Sequence, residues 1–174
     1  MLNPTINLNC PVNHKNQQRL HKLVDTLFTD YSKLLVVRLD FYLQKKHKDF
    51  NNYHFMNGCF DTLRNNVRWN KSPFANYITY VARIEHGTDR LWHFHVVFFY
   101  DGQKVKNDYL LAKNMGEYWV NVVTSGFGQY YSANMNRSNY QDFALGMINY
   151  SDYQAISNLK AVLNYLVKES TTEP

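Results

Sequence analysis

The chain has 174 residues, with 19 Lys and Arg against 14 Asp and Glu, a net charge of +5 and a pI of about 9.1. That length supports one domain with a hydrophobic core of its own, and the near-average 19% of charged residues excludes a disordered chain. Aromatics are the departure, with 14 Tyr, 11 Phe and 3 Trp; a basic surface mixed with aromatics suits nucleic acid, although mild basicity alone fits many small proteins.

In chain order, residues 1–13 are rich in proline and asparagine and read as an extended N-terminal arm ahead of a single domain over 14–174. This segment has no basic leader followed by an apolar run, so no signal peptide is expected. From His14 a helix is predicted, because Leu20, Leu23, Val24, Leu27, Phe28 and Tyr31 recur at spacings of three and four. "LLVVRLDFYL" (34–43) is apolar and β-branched and reads as a strand. Phe55, Cys59, Leu63 and Val67 then repeat every four residues, the mark of a second helix that Gly58 weakens. "SPFANYITYVARIEHGTDRLWHFHVVFFYDG" reads as a β-hairpin with "HGTDR" as its loop, "KNDYLLAKNMGEYWVNVV" as a helix and "FALGMINYS" as a strand. The last helix, "SDYQAISNLKAVLNYLVKES", opens on Ser151 with Gln154 three residues on, a capping-box pattern. This order predicts an α+β domain, a mainly antiparallel sheet flanked by helices. Cys10 and Cys59 lack metal-ligand spacing, which speaks against a disulfide framework or thiolate site and for a reducing compartment. No stretch is long enough to span a membrane, so a cytoplasmic protein is expected.

Side chains alternate faces along a strand. In the hairpin's second arm His93 and His95 share one face, while Trp92, Phe94, Val96 and Phe98 share the other. In the first arm Ile78, Tyr80, Ala82 and Ile84 make an apolar row, and Thr79, Val81, Arg83 and Glu85 a mixed one. Matching apolar face to apolar face puts Glu85 opposite His93 and Arg83 opposite His95. The loop then has five residues, Gly87 to Leu91, with a bulge or an odd loop implied. A His-x-His pair on its own fits packed structural histidines; the carboxylate on the same face adds the reading of a divalent-ion site open to substrate oxygens.

In the last helix Ile156, Leu159, Val162, Leu163 and Leu166 cluster on one side. Tyr165 lies off that stripe, beside Ala161 and Lys168. A phenol beside an ammonium has its phenolate favoured. With an ion to polarise a phosphodiester, tyrosine attack would give a covalent phosphotyrosyl intermediate and so nick and rejoin single-stranded DNA.

These residues resemble the HUH endonucleases: two histidines around a hydrophobic residue, His93-Phe94-His95, an upstream acid at Glu85, and a helical Tyr-x-x-Lys, Tyr165 to Lys168. "YVARIEH…WHFHVVFF" and "LNYLVKE" are most similar to inovirus-type replication initiators of filamentous phages and prophages, the group with the YagK/YfjJ C-terminal domain. The resemblance implies a sheet of about five antiparallel strands. It also implies Glu85, His93 and His95 as ligands of Mg²⁺ or Mn²⁺, with Tyr165 as nucleophile assisted by Lys168. The implied product is a 5′-phosphotyrosyl link with a free 3′-OH, in rolling-circle replication from an origin hairpin inside a bacterial host.

No phosphate-loop motif is present, so unwinding is expected from a host helicase. Arg83 is a DNA-binding candidate, with Lys45, Lys46, Lys48 and the "GQYYSANMNRSNY" loop (Tyr130, Tyr131, Arg137). Arg38 and Asp40 share one face of their strand and either line the site or mark a strand end. The alternatives are a regulator that binds nucleic acid without catalysis on the same fold, and a transposase or relaxase of the same superfamily.

Overall fold

A computed structural model describes residues 13–67, 73–139 and 144–167. The anticipated arm, except Asn13, and Lys168 lie outside them. Asn13 caps helix α1 (His14–Asp30), its side chain accepting from the Asn16 amide at 3.0 Å. There follow β1 (Lys33–Leu43), a tight turn over Lys45–Phe50, α2 (Tyr53–Val67), β2 (Tyr77–Gly87) and β3 (Leu91–Asp101). Then come α3 (Asp108–Tyr118), β4 (Gly128–Ser132), β5 (Gly146–Asn149) and α4 (Tyr153–Asn164), which tightens into a last turn, Tyr165–Val167.

All five strands pair antiparallel in the order β2-β3-β1-β4, with β5 also on β1. β1 is central. Leu39–Leu43 pair with β4, and Lys33–Val36 with β5. Between those two partners the Asn134 side chain completes the edge, accepting from Arg38 N and donating to Val36 O, each at 2.9 Å.

One face of β1 is covered along its length and the other over its first half, which is why its sequence is almost continuously apolar. Leu35, Val37, Leu39, Phe41 and Leu43 join Phe94, Val96 and Phe98 in a core shared with α2 and α3. Trp119, fully buried, stacks on Phe41 with ring centroids 4.8 Å apart. Leu34, Val36, Val97 and Phe99 pack against Leu20, Val24 and Leu27 of α1 and Leu159 and Leu163 of α4. This second core covers only half the sheet face. Beyond Val36 and Val97 the same face carries Arg38, Asp40, His95 and His93.

The hairpin ladder pairs Glu85 with His93 and Arg83 with His95, then runs on to Gly87 opposite Leu91. The loop therefore has three residues, 88–90, rather than five; Leu91 closes it at a φ of 53°. A bulge between Tyr77 and Thr79 turns Ile78 out of the expected apolar row and onto the α1/α4 core. β4 forms where glycines and polar residues in the sequence predict a loop. Gly128 is there for closeness, however: a Cβ would lie 2.4 Å from Thr124 Oγ1 and 2.7 Å from Trp119 Nε1. The cap of α4 is Asp152, one residue after the expected Ser151, accepting from Ala155 N at 3.0 Å. Gln154 bonds Asn158 instead of closing a box.

Candidate active site

One row of paired residues crosses four strands on the open half of the face: Arg83 on β2, His95 on β3, Asp40 on β1 and Tyr131 on β4. Glu85 and His93 form the next pair along the hairpin.

His93 Nδ1 lies 2.9 Å from the Leu91 carbonyl, and His95 Nδ1 lies 2.7 Å from Asp40 Oδ1. Both partners can only accept, since the Asp40 carboxyl is ionised, so both Nδ1 atoms carry protons. In neutral rings the two Nε2 atoms are then lone-pair acceptors, and they face each other at 3.2 Å. Two bare lone pairs at that distance repel, and a shared cation relieves the repulsion. Adjacent ligands about 2.1 Å from an octahedral ion are about 3.0 Å apart, close to the spacing found. Burial pushes the His93 ring's pKa down, which favours the neutral ligating form.

Glu85 Oε2 lies 3.7 Å from His95 Nε2, and its side chain keeps 31% exposure at the rim. One ligand atom from each of Glu85, His93 and His95 falls within 4.8 Å of the others. Among the described residues this is the one such cluster, and it could hold a metal ion.

Asp40 sits behind it, 7% exposed. Its Oδ2 accepts from Arg90 Nη1 at 2.9 Å, and Arg38 Nε stands 3.8 Å from Oδ1. Burial pulls its carboxyl up, but the hydrogen bond and charge of His95 with the charges of Arg38 and Arg90 outweigh this and hold it at about 2. Asp40 thus fixes the tautomer and orientation of a histidine that could ligate an ion. Of the two readings of Asp40, the structure places it in the site.

Tyr165 begins the turn that ends α4. Its ring meets His95 edge to face, centroids 5.3 Å apart and planes at 83°. The Arg38 guanidinium is 5.4 Å from its centroid, and Arg83 Nη1 donates to its backbone carbonyl at 3.2 Å. Arg83, expected at the DNA surface, is also 3.8 Å from Glu85 and only 15% exposed. The expected phenolate-favouring neighbour, Lys168, lies outside the described residues. Among the groups described, burial and then Glu85 push the Tyr165 hydroxyl up, with Asp40 adding to this and Arg38 and Arg83 pulling the other way. The phenolate is disfavoured here because two carboxylates and a half-buried position outweigh two guanidiniums.

The remaining candidates separate by face. Tyr130 turns to the α3 core, where Gly116 admits it; a Cβ there would lie 2.3 Å from the ring. Tyr131 turns to the site. Lys45, Lys46 and Lys48 are exposed on the turn after β1, and Arg137 is paired with Asp108. Arg90 is the functional candidate the sequence hid: it lies in a hairpin loop, and its side chain reaches across to Asp40 and Tyr42 of β1.

No helix among the described residues is long and apolar enough to cross a membrane. A family model described as the YagK/YfjJ C-terminal domain matches residues 1–173. No curated protein and no solved structure matches the chain.

Proposed function

The chain belongs to the YagK/YfjJ C-terminal domain family, and on that premise we propose that it is an HUH-type endonuclease that nicks and rejoins single-stranded DNA through Tyr165. The observation that carries the reading is the tyrosine ring set against His95, beside a two-histidine, one-carboxylate cluster whose Nε2 atoms converge.

Glu85, His93 and His95 would hold Mg²⁺ or Mn²⁺, which when bound polarises a phosphodiester and offsets charge on its oxygens. The protein's own groups do the rest. The Tyr165 hydroxyl oxygen attacks phosphorus, the bond to the 3′ oxygen breaks, and that oxygen leaves as a hydroxyl, taking a proton. The 5′ phosphate stays on the tyrosine. Arg38 stands beside the ring, placed to stabilise both the phenolate and the charge that builds on the phosphoryl oxygens. Arg83 holds the turn by the Tyr165 carbonyl, and Asp40 keeps His95 aimed. Lys168, three residues beyond the tyrosine in sequence, would add positive charge.

The biological setting proposed is the start of rolling-circle replication of a phage or mobile element in the bacterial cytoplasm, on an origin hairpin, with a host helicase for unwinding. The test is a denaturing gel of the protein with labelled hairpin-forming single strands and Mn²⁺. A covalent adduct that EDTA abolishes is expected. Tight binding with no adduct would favour the regulator, and joining of two different cleaved ends would favour a transposase.

A further inference from the structure

The face that carries the triad continues past Asp40. Tyr131 follows Asp40 in the same row, and Tyr42, paired with Gln129, lies one step further along β1 on that face. Arg90 reaches over both rings, its guanidinium 4.5 Å from the Tyr42 centroid and 5.7 Å from that of Tyr131. One of its nitrogens is tied to Asp40 Oδ2, and the side chain keeps 32% exposure. The hairpin tip that bears it is pinned: the Asn51 amide donates to the Arg90 and Trp92 carbonyls at 3.3 and 3.1 Å and accepts from Trp92 N at 2.9 Å.

A guanidinium has five N–H donors and a flat face. Asp40 uses one of those donors, and the Tyr42 ring occupies one face. Two half-buried phenol rings beside an exposed Gln129 then border a charge with donors to spare. Tyr131 is two strands from His95, or about 10 Å, and Arg90 is nearer, bonded to the same carboxylate as the His95 ring. Aromatic faces interleaved with a fixed cation are the means by which proteins hold unpaired bases and their phosphates.

We propose that Tyr42, Arg90 and Tyr131 form a nucleotide seat: a base of the single strand stacks on Tyr131, and Arg90 takes the phosphate next to the one at the triad. The strand then crosses the sheet from Tyr165 toward the β4 edge. The identity of the ligand as single-stranded DNA rests on the nicking reading, but binding at the seat needs neither the ion nor Tyr165.

The test is fluorescence anisotropy in EDTA with labelled oligo(dT) and an abasic strand of equal length. The wild-type protein should bind oligo(dT) about tenfold more tightly than the abasic strand. Tyr131→Ala should remove most of that preference and leave abasic binding unchanged, whereas Tyr131→Phe should keep it. Arg90→Gln should weaken both strands and reduce the salt slope by about one. Tyr131→Leu, which fills the same space, replaces the alanine variant if that one unfolds. Equal binding of the two strands by wild type, or equal weakening of both by Tyr131→Ala, overturns the seat. An adduct that still forms under either result leaves the nicking reading standing. The expected preference in a protein that forms no adduct supports the seat and overturns the nicking reading alone.

Discussion

His95 donates from Nδ1 to Oδ1 of Asp40 across 2.7 Å, and both side chains are buried. The carboxylate leaves the ring one arrangement, with Nε2 bare and aimed at His93. Asp40→Asn keeps the shape but loses the charge that enforces it. The Mn²⁺ affinity should fall about 10–100-fold in calorimetric titration, with the far-ultraviolet circular dichroism unchanged. An unchanged affinity would show that His95 is oriented by other means.

Acid should expose the same residue. The Asp40 carboxyl is held at about 2, against an ordinary 3.8. A carboxyl whose pKa is lower in the folded state contributes stability that is complete above its unfolded value and lost as pH falls through the folded one. The wild-type contribution should therefore fade between pH 3.8 and about 2, by roughly 2 kcal/mol. Urea unfolding across that window should show the gap between wild type and Asp40→Asn shrinking. A constant gap would contradict the assignment.

Arg38 lies between Asp40 and the tyrosine ring and draws the Tyr165 hydroxyl down against the effects of burial and Glu85. Arg38→Met should push it further up. At neutral pH single-turnover adduct formation should slow about tenfold or more, with the pH–rate profile displaced to higher pH. A profile that overlays the wild type would remove Arg38 from the chemistry.

Asn134, 3% exposed, satisfies two backbone groups of β1 where β4 and β5 leave a gap. Asn134→Ala strands the Arg38 amide and the Val36 carbonyl. The loss should be about 2–4 kcal/mol, read as a lower urea midpoint. A change below about 0.5 kcal/mol would mean that the β1 edge repairs itself.

The hairpin register was legible because its two arms are adjacent and apolar alternation allows one parity. Asp40 stayed ambiguous because its partners are distant: His95 is 55 positions away and Arg90 is 50, and neither β1–β3 nor β1–β4 pairing can be read from periodicity. Tyr130 and Tyr131 look alike in sequence. Their opposite roles follow only from β4 pairing, and glycines disguised β4 as loop. Ser151 and Asp152 are both good caps, and only the chain's path selects the second. The charges around Tyr165 were hidden for a similar reason: Glu85 and Asp40 reach it from other strands, while Lys168, its neighbour in sequence, lies outside the described residues.

The most direct test of the central claim is to digest the protein–DNA adduct and locate the nucleotide by mass spectrometry. Attack by Tyr165 puts a nucleotide monophosphate on the peptide that contains it, and Tyr165→Phe gives no adduct. A nucleotide on Tyr131 or Tyr42, or an adduct that survives Tyr165→Phe, would contradict it.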